Sequence, residues 1–251
     1  MKKILIIGDS CTDVFTYGKC TRLSPEAPVP VFNPIRTTGN GGMAINVLEN
    51  IKALGVECGI ITNDRRPVKT RYVDEVSNQM LLRVDEVDYI SRIESKRLIN
   101  INFKHYDAVI ISDYNKGFLS EEDIIYITSK HHLVFMDTKK KIGEWSQGVE
   151  FIKINEKEFS ENSEWVTKNY EGELIVTLGK NGARHWFNDY PINIEHEVRD
   201  LSGAGDTFLA GLVVDYINNN DICKAIEYAN KCAAWVVTQK GVVVVDKNKI
   251  K

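Results

Sequence analysis

The residues best placed to do chemistry lie in Asp200–Gly211, DLSGAGDTFLAG. An extended approach ends in Gly203-Ala204-Gly205 and an amphipathic helix begins at once, with Phe208, Leu212 and Tyr216 recurring at four-residue spacing. Glycines there permit a tight turn and expose successive backbone amides, which with the helix N-terminus make an anion site. Asp206 falls in the first helical turn, beside that site. A carboxylate is a poor phosphate ligand because like charges repel, but it suits removal of a proton from a hydroxyl attacking that phosphate. Phosphoryl transfer asks mainly for positioning and charge neutralisation, so an amide cradle, a metal and one base are a sufficient set. A plain helix start uses the same residues, Asp206 and Thr207 favouring the first turn and the glycines a bend. Spacing alone leaves both open.

The elements that must position these groups alternate along the chain. Short β-branched runs at Ile4–Ile7, Glu57–Thr62, Ala108–Ser112, Leu133–Asp137, Phe151–Ile154 and Leu174–Thr177 read as strands. Helical patterns occupy Met43–Leu54, Glu121–Ser129, Glu156–Phe159, Ala204–Asn218 and Ile222–Lys240. That alternation predicts βαβ units and an α/β fold with a mostly parallel sheet. Several strands end in a polar residue or glycine at the carboxyl edge, where open α/β sheets place ligands. Two stretches break the pattern. Leu23–Asn33, LSPEAPVPVFN, carries three prolines and cannot be a central strand. Lys69–Asp85, KTRYVDEVSNQMLLRVD, reads as two strands around a Ser-Asn turn. Together they predict a small sheet lying over the main domain as a lid, near residues 14–38 and 67–86, within a single domain spanning 1–251.

Composition narrows the partners. The chain has 251 residues, 43% of them hydrophobic, and a formal net charge of -3 with 32 scattered basic residues. That length suits one sizeable core, and the charge pattern offers neither a nucleic-acid stripe nor a membrane patch. The N-terminal MKKILIIGDS superficially resembles a secretory leader, but its apolar run stops after Ile7, and it reads better as a buried first strand. No later segment approaches a membrane span. Cysteines 11, 20, 58, 223 and 232 form no CxxC, and histidines 105, 131, 132, 185 and 196 form no HxxxH or HExxH. Reduced thiols in a cytoplasmic protein are the expectation.

With these residues in view, the sequence resembles the ribokinase-like (PfkB-type) carbohydrate kinases, whose signature holds the same GAGD at a helix start. Gly41-Gly42 followed by Asn46 is similar to the family's di-glycine sugar-binding segment, and Asn155-Glu156-Lys157-Glu158 to its NxxE element. Thr177-Leu178-Gly179 with Gly182 is similar to its TLGxxG nucleotide turn. Each match is weak alone; four in the right order are strong. Within the family the likeness is greatest to heptose 7-phosphate kinases and the kinase half of bifunctional ADP-heptose synthases. RLSPEAPVPVF at Arg22–Phe32, KTRYV at Lys69–Val73, SDYNKG at Ser112–Gly117, DTKK at Asp137–Lys140 and the run Ala229–Val237 carry it. The bifunctional relatives add a nucleotidyltransferase domain; no HxGH motif follows here, so the kinase step alone is implied.

The resemblance implies a ribokinase-like three-layer sandwich and a role for each matched residue. Asp206 would deprotonate the anomeric hydroxyl of a sugar, and the Gly203, Ala204 and Gly205 amides would stabilise the migrating phosphoryl. Asp13, Gly41, Gly42, Asn46 and Asp113 would hold the sugar, with strand-end caps the lesser alternative for Asp13 and Asp113. Thr177, Gly179, Gly182 and Asn230 would line ATP, and Asn155 and Glu158 on the cofactor side would hold magnesium through water. Asp200 and Ser202 match positions that hold a monovalent cation such as potassium in some relatives. Lys69, Arg71 and Lys116 are candidates to grip a phosphate at the far end of the sugar, Lys116 first because it follows a strand end; ordinary surface charge is the alternative. Partners would be ATP and a sugar or sugar phosphate, with a homodimer through the lid. The chain departs from the family after Thr62, where a helix–strand unit is missing. Two other readings therefore stand: a kinase for another sugar or nucleoside, and a catalytically silent binding module.

Overall fold

The computed structural model describes residues 2–86, 89–192, 197–239 and 241–250. The strongest apolar run forms β1 (Lys3–Gly8), flanked by β4 (Glu57–Ile61) and β7 (Ala108–Asp113) in parallel register. β8 (Val134–Thr138), β9 (Phe151–Asn155) and β10 (Glu173–Thr177) extend the parallel sheet. The short antiparallel strands β11 (Ala183–His185) and β12 (Asn188–Tyr190) complete it, in the order β12-β11-β10-β9-β8-β7-β1-β4. Being covered on both faces, the central strands read as continuous apolar runs rather than alternating ones.

Helices cover the two faces. α1 (Ala44–Ala53), α5 (Ala204–Asn219) and α6 (Ile222–Val237) share one apolar cluster with Ile4, Ile6, Phe135 and Phe151. On the other face α2 (Ser95–Ile99), α3 (Glu121–Lys130) and α4 (Glu156–Asn169) pack over Leu5, Ile7, Val109 and Met136. This is a ribokinase-like three-layer α/β sandwich. A separate four-stranded sheet, β3-β2-β5-β6, forms the lid from β2 (Ser10–Leu23), β3 (Pro30–Met43), β5 (Val68–Asp74) and β6 (Met80–Asp85). Pro30 and Pro34 fall on β3, an edge strand, where a missing amide is tolerated. Residues 62–67 lead from β4 straight into β5, so β4 stands at the sheet edge.

Several boundaries differ from the periodicity. Only Asp9 separates β1 from β2, so the first lid hairpin reaches beyond 14–38 at both ends. α1 starts at Ala44 rather than Met43, because Met43 is the cap residue at φ 61. α4 runs ten residues past Phe159; only Asn162 and Val166 are buried along it, too sparse a stripe to announce a helix. α6 ends at Val237, with Lys240 outside the described residues, as is His196. α2 and the β11–β12 hairpin are too short to show a period.

One close approach ties β1 to β7. Gly8 pairs with Ser112, and a Cβ on Gly8 would lie 1.9 Å from the Ser112 carbonyl oxygen. Backbone cannot yield as a side chain would. Gly8→Ala is expected to cost about 2–3 kcal/mol, read from the shift in urea midpoint at unchanged slope.

Candidate active site

The carboxyl edge of the parallel sheet collects the polar groups. Asp9 lies just beyond β1, fully buried, and its carboxylate accepts the amides of Lys116 at 3.2 Å and Phe118 at 3.3 Å. Burial, and then the neighbouring Asp113, push the Asp9 carboxyl above its ordinary pKa. Asp9 thus fixes the loop 114–118 that follows β7.

The start of α5 stands between two cavities. Gly203 precedes the helix at φ 81, a left-handed conformation in which a side chain is strained, and a Cβ there would sit 2.7 Å from Asn46 Nδ2. The first i→i−4 bond of the helix runs from the Thr207 amide to the Gly203 carbonyl at 2.9 Å, so the amides before it have no such partner. On one side Ala204 and Gly205 face an apolar cavity lined also by Thr177, Gly179, Gly182 and Asn230. On the other, Gly203 and Asp206 face a polar cavity under the lid. The structure therefore brings these four expected nucleotide-side residues together in the first cavity, without Asn155. In the second it assembles Asp13, Gly42, Asn46, Lys69, Arg71, Lys116 and Ser202 around Asp206.

Asp206 is 5% exposed. Asn46 Nδ2 donates to its Oδ2 at 3.0 Å and the Tyr114 hydroxyl to its Oδ1 at 2.7 Å. Burial raises its pKa to about 6, against the pull of those two donors. A carboxylate poised there is ionised at neutral pH yet basic enough to take a proton.

Three further charged groups act on it, Asp137, Lys153 and Lys139. Lys153, inside β9, pairs with Asp137 at 2.5 Å with both side chains nearly inaccessible, and a Cβ on Gly205 would lie 3.0 Å from its ammonium. Burial works against the charge of Asp137, but Lys153 and Lys139 together hold its pKa below the usual value. Lys139 also pairs with Glu158. Two ammoniums therefore stand beside the helix start, where a phosphoryl group would need them.

Some expected residues lie elsewhere. Asp113 is 1% exposed and does not line the cavity; both its oxygens accept from Lys140 at 2.8 Å, and Thr138 donates to it as well. Gly41 is also outside the lining, where a Cβ would strike Ile45. Asn155 and Glu158 form a reciprocal capping box at the start of α4, Asn155 Oδ1 taking the Glu158 amide and Glu158 Oε2 the Asn155 amide, each at 2.9 Å. Neither lines the two cavities, and N-x-x-E is itself a cap pattern. Asp200 Oδ1 accepts the Ser202 amide at 2.8 Å, closing a turn. Asp13 is paired with Arg71. Sequence reasoning missed Asp9, Tyr114, Arg83 and Lys153. Lys153 had a signal, a lone charge in an otherwise apolar strand.

Residues 101–248 match the pfkB family carbohydrate kinases. The chain belongs to that family, whose members are phosphotransferases with an alcohol group as acceptor. It is 31% identical to the bifunctional protein HldE of Helicobacter pylori strain J99 over 96% of this chain and 64% of that protein. It is 30% identical to the HldE of a Nitratiruptor species, over 95% of this chain and 62% of that one. The chain thus spans somewhat under two thirds of these relatives. The first alignment runs over 295 positions, more than the 251 residues here, so the relatives carry additional residues within the matched span. Among solved structures, ribokinase from Thermotoga maritima superposes with a TM-score of 0.73 at 15% identity, covering 100% of this chain and 96% of that one. Ribokinase from Arabidopsis thaliana gives 0.72 at 14% identity, covering 99% and 97%.

The position of Asp206 generates paired expectations. Its pKa lies above the value of an unfolded aspartate, so its contribution to stability is full below about pH 4 and is lost as pH rises through 6. Asp206→Asn is expected to lower turnover by about two to four orders of magnitude. It should also melt no lower than wild type at pH 8, by calorimetry. Near-normal turnover would remove Asp206 as the base.

Proposed function

We propose that the protein transfers the γ-phosphoryl group of ATP to the anomeric hydroxyl of heptose 7-phosphate, giving the 1,7-bisphosphate. The observation that carries the reading is the start of α5, which presents Ala204 and Gly205 to an apolar cavity and Gly203 and Asp206 to a basic one. The adenine ring suits the first cavity, walled by Val198, Leu201, Phe208, Ala233 and Val237. The sugar suits the second, with Asn46 and Asp13 as hydrogen-bonding partners. In the reaction the acceptor hydroxyl gives its proton to Asp206 as its oxygen bonds the γ-phosphorus. The bond between that phosphorus and the bridging oxygen breaks, and ADP leaves. The helix-start amides, with Lys153 and Lys139, neutralise the charge of the group in transit.

Among the described residues, no group of three or more His, Cys, Asp or Glu forms a metal site. A magnesium ion would therefore come with the nucleotide phosphates and keep most of its waters. Asp137 fits as an outer partner, since its buried Oδ1 makes no hydrogen bond among the described residues and meets only the Lys139 ammonium at 3.6 Å, and Glu158 pairs with that same lysine. The ion would supply charge neutralisation on the phosphates. A potassium ion near Asp200 and Ser202 belongs to the same reading. The protein partner in this reading is a second copy of the chain, covering the exposed Leu81, Leu82 and Val84 of the lid.

The phosphorylated acceptor rests on the basic side chains facing the lid cavity, Lys69, Arg71, Arg83 and Lys116, together with the likeness to the HldE proteins. Each charge-assisted contact to a phosphate contributes about 1.5–3 kcal/mol. Lys116→Ala should therefore raise KM for heptose 7-phosphate roughly ten- to a hundredfold, leaving activity on unphosphorylated sugars nearly unchanged. The measurement is ADP release with ATP, magnesium and a panel of sugars and sugar phosphates. A wild type that prefers plain ribose or fructose overturns the substrate while leaving the kinase. Glu158→Gln keeps the capping box and should raise the magnesium concentration needed for half-maximal rate; an unchanged requirement assigns Glu158 to the cap alone.

A further inference from the structure

We infer that Tyr114 is the positioning residue for the base, its phenol fixing the Asp206 carboxylate toward the acceptor; this rests on the reading of Asp206 as the base. The Tyr114 hydroxyl donates to Oδ1 and Asn46 to Oδ2, so donors from two separate elements pin both oxygens and hence the plane of the group. Each oxygen keeps a second lone pair for the incoming hydroxyl. Tyr114 lines the lid cavity, and the Lys139 ammonium, in the same lining, lies 5.6 Å from its ring centroid.

The loop carrying Tyr114 is shaped to hold it there. Asn115 takes φ 55 and Gly117 φ 109, where a Cβ would lie 2.7 Å from the Ile90 carbonyl oxygen. Asp113 Oδ1 accepts the Asn115 amide at 3.1 Å, and the Asp9 carboxylate takes the amides of Lys116 and Phe118 beyond. A residue serving only as a wall would need the ring and no hydroxyl.

Other charged or ionisable groups face Asp206. Asp137 on β8 disfavours its ionised form, while Lys153 on β9 and Lys139 beyond β8 favour it. Cys11 on β2 has its thiol pushed up to about 12, chiefly by burial, and stays neutral at working pH. Across the cavity stand Asp13, already paired with Arg71, and the cationic Lys69, Lys116 and Arg83. All of these persist when the phenol oxygen is removed, so a change of titration in Tyr114→Phe reports that one hydrogen bond.

The hydroxyl stabilises the ionised carboxylate; its loss must raise the pKa of Asp206. The test is a carboxyl-carbon NMR titration of the ligand-free protein labelled at aspartate, with the Asp206 signal assigned from Asp206→Asn. Tyr114→Phe should move the midpoint upward by about one pH unit or more. The acid limb of kcat/KM for heptose 7-phosphate should move with it, with the loss at about pH 6.5 recovered at about pH 8.5. Site-specific replacement of Tyr114 by 3-fluorotyrosine, a stronger donor of nearly the same shape, should move both downward. An unmoved midpoint in the two proteins overturns the inference, as does an effect on KM alone. Full activity of Asp206→Asn removes the base itself, whereas an inactive Asp206→Asn with an unmoved midpoint removes only the role of Tyr114.

Discussion

A carboxylate stripped of water at the head of a helix is the constraint around which the rest is arranged. At 5% exposure, burial disfavours the charged form of Asp206 and lifts its pKa to about 6. It is kept available by Asn46, Tyr114 and the ammonium of Lys153, each delivered by a different part of the fold. The sheet order brings these parts together, since β7 and β9 both end at the edge over which α5 begins, while α1 packs directly against α5. A parallel sheet with its carboxyl edge open to one side is what lets distant segments converge on one group.

The same edge separates opposite charges finely. Asp113 and Asp137, on adjoining strands, are each closed by a lysine from the segment 139–153. Breaking a buried pair of this kind is costly because it strands a charge in a poor dielectric. Much of the charge at this edge is therefore structural, holding loops and strand ends, and the residues left to face the cavities are fewer than a count of acidic and basic side chains implies.

The parallel sheet, the lid and the α5 turn were legible because each has a local cause: apolar runs, prolines, and glycines before an amphipathic helix. Asp206, Asn46, Thr177 and Asn230 stand out from motif matches, and the structure places each on a cavity wall. Asp9 and Tyr114 were not found, because their importance is a matter of remote partners: Phe118 lies 109 positions from Asp9, and Asp206 lies 92 from Tyr114. Asp113, Asn155 and Glu158, expected at ligands, each have local partners in the structure. A carboxylate at a strand end or in N-x-x-E serves a backbone amide as readily as a ligand, and residue type does not tell the two apart.

The lid has a consequence for how the chain folds. β2 and β5 pair in parallel, Thr12 with Val68 through Gly18 with Asp74, and the segment between them holds β3, α1 and β4. Two of those three belong to the main domain, so the two halves of the lid meet only when α1 and β4 are seated on β1. The entropy of closing a loop of that length is met before the pairing returns anything, so the lid is a non-local contact and not a free-standing hairpin. The cover over the cavity is thus tied to the floor beneath it, since the pairing that closes the lid spans the helix and strand that pack beside β1.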